Sequence, residues 1–148
     1  MSARNLSLVF AVMCAFVGSA VFAESPAGVW RTIDDKTGTE RSIVRIVETG
    51  GELRGTVEEL FTRPDEDPKH LCDKCSGERK DQPIIGMTIL WGLKNNDGVW
   101  SGGQILDPKN GKIYRCKMTL SEDGRSLDVR GYIGVSLIGR TQTWYRVE

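Results

Sequence analysis

Beyond residue 23, apolar and polar residues alternate with a period of two along much of the chain, the pattern of half-buried strands. In residues 112–120, Tyr114, Cys116, Met118 and Leu120 share one face, and Arg115, Lys117 and Thr119 the other. Residues 126–133 repeat it, setting Leu127, Val129, Gly131 and Ile133 against Asp128, Arg130 and Tyr132. Residues 42–47 and 52–60 read as a hairpin across Gly50-Gly51, and residues 28–32, 98–107 and 140–147 as further strands. Residues 87–93 are an apolar run that fits a strand or a short helical turn, and residues 134–139 are equally open. No amphipathic stretch of helical period stands out.

Between these segments lie Thr49-Gly50-Gly51, Asn95-Asn96-Asp97-Gly98, Asp107-Pro108-Lys109-Asn110-Gly111 and Glu122-Asp123-Gly124. Asn, Asp and Gly tolerate the positive φ of tight hairpins. The pattern predicts an all-β chain of about eight short antiparallel strands. Such a sheet must hide its edges, and meander order with tight turns favours a small up-and-down barrel over paired sheets. One connection is long: residues 61–83, rich in Pro and charge, where a compact domain normally keeps loops short.

The first 23 residues follow a different logic. Arg4 is their only charge, Leu6 opens an apolar run to Phe16, and Val21-Phe22-Ala23 offers small residues for cleavage after Ala23. This is the layout of a secretory signal peptide, and the apolar run is too short for a retained membrane anchor. Cys14 lacks the surroundings of a lipidation site. The expected mature domain is residues 24–148, soluble and periplasmic or secreted. The whole sequence of 148 residues carries 20 basic and 20 acidic side chains. That balance argues against nucleic acid as a partner.

Several residues are candidates for chemistry. Cys72-Asp73-Lys74-Cys75 admits four readings: a structural disulfide that staples the long loop, a thiol-disulfide exchange centre, a metal site with His70, or reduced thiols with Cys116 as an alternative partner. Export favours the disulfide. An exchange centre wants its first Cys at a helix N-terminus, which Pro64 and Pro68 argue against. A tetrahedral metal wants a fourth ligand, which Cys116 would supply only if the loop folded onto its strand. Cys116 otherwise reads as a buried small hydrophobe, and His70 as a solvated loop residue. The carboxylate pairs Asp34-Asp35, Glu58-Glu59 and Asp65-Glu66-Asp67 read as solvated faces. The sequence assigns no catalytic set, no metal and no cofactor. Gly28-Val29-Trp30 near the start and Arg146 near the end look like the calycin arrangement, in which an indole plugs the barrel under a guanidinium.

A longer pattern runs from Asp81 to Arg146. It contains Gln82-Pro83-Ile84-Ile85-Gly86-Met87, Leu90-Trp91-Gly92-Leu93, Trp100-Ser101-Gly102-Gly103-Gln104, Gly111-Lys112-Ile113-Tyr114-Arg115-Cys116, Leu127-Asp128-Val129-Arg130-Gly131-Tyr132 and Gly139-Arg140-Thr141-Gln142-Thr143-Trp144. This resembles the DUF2147 family of exported bacterial proteins. The resemblance implies a small lipocalin-like barrel outside the cytoplasm and supplies no catalytic residues.

Three functions are therefore weighed. The favoured one is non-enzymatic: a barrel holding a small apolar or amphipathic ligand against Trp91, Trp100, Tyr114, Met118 and Tyr132, unless these side chains simply fill it. The second is a thiol-redox or metal protein using Cys72 and Cys75 with His70. The third is an envelope interaction scaffold, docking through residues 107–111 or 134–139.

Overall fold

The computed structural model describes residues 24–148; the expected leader and Cys14 lie outside the described residues. Eight strands follow one another as β1 (Gly28–Ile33), β2 (Glu40–Thr49), β3 (Glu52–Leu60), β4 (Thr88–Asn96), β5 (Val99–Asp107), β6 (Lys112–Leu120), β7 (Ser126–Tyr132) and β8 (Gly139–Arg146). Each pairs antiparallel with its neighbours in sequence, and β8 returns to β1, closing the barrel. The expected antiparallel meander is thus the observed one. The apolar run at 87–93 resolves as strand β4, and residues 134–139 as the connection between β7 and β8.

Antiparallel order fixes the two ends. The β2–β3, β4–β5 and β6–β7 turns meet at one end with residues 24–27 and 147–148. The β1–β2, β3–β4, β5–β6 and β7–β8 connections meet at the other.

The first end is sealed. Trp30 is fully buried and donates its Nε1–H to the Pro26 carbonyl at 2.8 Å. Arg146, its register partner on β8, holds its guanidinium 4.3 Å from the indole centroid. Arg146 also donates to three carbonyls: Gly124 at 2.6 Å, Ala27 at 2.9 Å and Ser25 at 3.1 Å. A delocalised, planar donor both stacks and bonds in this way. Gly28 makes room for it: φ is +143°, and a Cβ there would collide with the Arg146 guanidinium. Above this plug Val44, Ile46, Leu53, Leu90, Leu93 and Met118 fill the bore, all with less than 2% exposure.

The connection between β3 and β4 is a strap that packs on the outside of the wall. The register pairs Leu90 with Ile105, so Ile89 and Leu106 lie side by side on the outer face, yet both are buried. The strap covers them. Cys72 and Cys75 form a disulfide within this buried apolar cluster, their Cα atoms 5.3 Å apart. Arg79, in a 3-10 turn (Gly77–Arg79), stacks over Trp91 at 4.8 Å. At Gly111 any side chain would strike the Lys74 carbonyl, so the strap presses onto the β5–β6 turn.

Cys116 is fully buried and is not part of this bond. Burial pushes its thiol up to about 12. Two outcomes follow from this packing. Trp30→Ala removes the plug and destabilises the fold by roughly 3–5 kcal/mol, measured by urea unfolding; a wild-type midpoint contradicts the seal. In the native protein Cys116 resists a thiolate-selective alkylating agent at pH 8 and reacts on denaturation, as peptide mapping by mass spectrometry will read; an adduct at Cys116 under native conditions contradicts its burial.

Candidate functional site

Side chains that fill the sealed half do not reach the open half. There a cavity of about 1120 Å³ lies inside the wall and extends beneath the strap. Small-molecule pockets are typically about 300–1,000 Å³, so it has room for a drug-sized or chain-like molecule. Val57, Ile105, Val129 and Trp144 supply apolar lining, and Leu60 and Ile84 extend it toward the strap. Polar and charged side chains gather toward the mouth and along the strap, among them Asp34, Arg41, Lys109 and Arg140. The Thr32 and Ser42 hydroxyls bond each other at 2.7 Å. Gln142 accepts from the Trp144 indole at 3.4 Å.

Opposed residues on neighbouring strands explain why this half is hollow. Gly131 faces inward beside Ile105 and Tyr114, and a glycine there leaves the bore unfilled. Gly103 and Gly131 both register with Cys116, but at Gly103 the space is taken up by the Trp91 carbonyl and by the backbone and side chain of Leu93.

Charge collects at the mouth. Asp34 is buried at the β1–β2 turn, where its Oδ1 accepts the amides of Lys36 at 3.0 Å and Thr37 at 3.2 Å. Its Oδ2 takes Arg63 from the strap at 2.9 Å and stands 3.9 Å from Lys109 on the β5–β6 turn. Burial by itself would push this carboxyl up. The two amides, Arg63 and Lys109 outweigh it and hold the group down at about 2. The sign is that of a depressed acid: its contribution to stability is present above the ordinary value of 3.8 and is lost as pH falls toward 2. Glu66 repeats the motif on the strap, accepting the Arg63 amide at 3.1 Å and Arg41 of β2 at 2.7 Å. Arg140 of β8 pairs with Asp35. One carboxylate therefore ties three connections together around the opening. The reading of Asp34 as a solvated charge is corrected here. Its partners come from segments that sequence spacing does not connect.

The five side chains expected to share one interior are divided by the structure. Tyr114 lines the cavity, its hydroxyl accepting from Asn110 Nδ2 at 2.9 Å. Tyr132 stands at the rim, with the Arg115 guanidinium 5.8 Å from its ring centroid. Met118 belongs to the filled half. Trp100 is buried near the sealed end, beside a smaller recess of about 470 Å³. Trp91 faces outward, donating to Gln104 at 3.2 Å beneath Arg79. For these last three the expectation of ligand lining is revised. Missed in the sequence were Val57, Ile105, Val129 and Trp144; strand alternation placed Val129 inward but gave no sign that its level was hollow.

His70 bonds Thr62 Oγ1 through Nε2 at 2.6 Å. Cys72 and Cys75 bond each other, and Cys116 faces Gly103 inside the bore. Among the described residues no three His, Cys, Asp or Glu side chains converge as a metal ion would require.

Comparison with known proteins agrees with this architecture. Protein HP1028 from Helicobacter pylori, described as belonging to the lipocalin family, superposes with a TM-score of 0.72 over 85% of each chain at 17% identity. That likeness establishes the fold. No curated protein matches the sequence. Residues 28–146 match the model of an uncharacterised protein family conserved in bacteria, DUF2147, and the chain belongs to that family.

Proposed function

We propose that the protein binds one small amphipathic molecule in the open half of the barrel, and that it does so outside the cytoplasm. The observation that carries the reading is the hollow itself: a space of about 1120 Å³ that runs from the bore out beneath the strap, apolar at Val57, Ile105, Val129 and Trp144 and charged at its mouth and along the strap. The apolar body of the ligand would lie against Val57, Ile105, Val129 and Trp144. Its polar end would sit near Tyr114, Arg41 and Lys109. Burial of an apolar chain supplies the affinity, and the polar groups fix direction.

Export is supported by the leader pattern of residues 1–23 and by the Cys72–Cys75 bond, which persists in oxidising compartments.

Fluorescence titration tests the binding reading. 1-Anilinonaphthalene-8-sulfonate should occupy one saturable site and be displaced by dodecanoate. Ile105→Trp fills the space and should weaken both by about tenfold or more. Leu60→Arg, at the less packed rim, serves where the first variant fails to fold. Absence of a saturable site, or unchanged affinity in a variant with a wild-type melting curve, refutes the reading.

A further inference from the structure

The connection between β7 and β8 carries the four most exposed large apolar side chains among the described residues. Leu137 is 89% exposed, Ile138 69%, Ile133 62% and Val135 58%. Clustered aliphatic exposure of this kind marks a surface that meets something. The backbone of the loop is already committed. Ile138 donates to the Val135 carbonyl at 3.0 Å, and Ile133 to the Ile138 carbonyl at 3.3 Å. Cations on the flanking strands bind much of the rest. Arg130 donates to the Ser136 carbonyl at 2.7 Å and the Leu137 carbonyl at 3.3 Å. Arg115 reaches the Gly134 carbonyl at 3.3 Å, and Lys117 the Ser136 hydroxyl at 3.4 Å. Among the described residues none of these three cations has a carboxylate within ion-pair distance.

We propose that this loop docks the barrel on an anionic phospholipid surface, with Leu137 and Ile138 entering the acyl region and Arg115, Lys117 and Arg130 lying at the level of the phosphates. Two features favour lipid over a protein partner. The loop offers bare aliphatic side chains on a backbone whose carbonyls are largely satisfied from behind, which suits acyl chains that can return no hydrogen bond. The cations form a collar behind that tip with no acid of their own, and phosphates supply the missing negative charge. The acidic run Asp65-Glu66-Asp67 belongs to the strap between β3 and β4, across the ring from β7. The contact is therefore edge-on, with the strap side turned away from the bilayer. The proposal does not depend on the cavity being occupied: Ile133 and Ile138 border its mouth, but Leu137, the most exposed of the four, does not line it.

Co-sedimentation of the purified protein with vesicles tests this directly. Vesicles of phosphatidylethanolamine and phosphatidylglycerol should carry the protein down, phosphatidylcholine vesicles should not, and binding should fall as salt rises. Leu137→Asp should lower partitioning by about tenfold or more, and Lys117→Gln by roughly fivefold, both with unchanged melting curves. Each variant differs from its parent at one position far from the first residues of the chain, so the state of the N-terminus does not confuse the comparison. Failure to bind anionic vesicles, equal binding by Leu137→Asp, or indifference to salt overturns the proposal. So does a lipid-free dimer that Leu137→Asp abolishes, which would assign the loop to a second copy of the chain.

Discussion

The barrel closes through its weakest seam. β1 has six residues, and its register with β8 consists of two pairs, Trp30 with Arg146 and Arg31 with Tyr145. Backbone bonds from Val29 to Glu148 at 2.9 Å and from Val147 to Val29 at 2.7 Å extend it slightly. A closed sheet has no edge to protect, but only while its first and last strands hold together. Arg146 belongs to that seam and also binds carbonyls from the N-terminal segment and the β6–β7 turn. A single guanidinium therefore couples the seam to the plug.

The structure separates two kinds of interior. Near the plug, large aliphatic residues from every side meet and exclude space. Near the mouth, glycine and small polar residues occupy inward positions, and the surrounding side chains do not close the gap. Rigidity at the rim comes from elsewhere, chiefly from Asp34, whose two carboxylate oxygens bind the β1–β2 turn, the strap and the β5–β6 turn. A pocket whose walls are strands and whose rim is cross-linked by charge keeps its shape when empty, so a ligand need not organise it.

The amino-acid pattern made most of this legible where one strand face is wet. β6 and β7 alternate cleanly, and their inward sets are as the periodicity implies except at Ile133, which lies past the end of β7 and is exposed. Legibility ended where both faces are dry. Ile89 and Leu90 are adjacent and both buried, one under the strap and the other in the bore, so the period of two disappears from Ile89-Leu90-Trp91-Gly92-Leu93. Nothing in that run tells Trp91, which faces outward, from a residue that fills the barrel. The pair Gly28-Val29-Trp30 and Arg146 was readable because the motif is short and its physics specific. The grouping of Asp34, Arg63 and Lys109 was not, because three separate connections must fold before those charges meet.

The strap extends the apolar core to the outside of the wall, over Ile89 and Leu106. Loops of an ordinary barrel are free to vary because nothing is stored beneath them. Here a change in the strap is felt by the wall, and through Lys74 against Gly111 by the next hairpin. Drift in this segment is therefore restrained by packing as well as by any ligand, and the region open to evolutionary re-tooling lies instead among the small inward residues of the hollow, which hold neither the seam nor the strap in place.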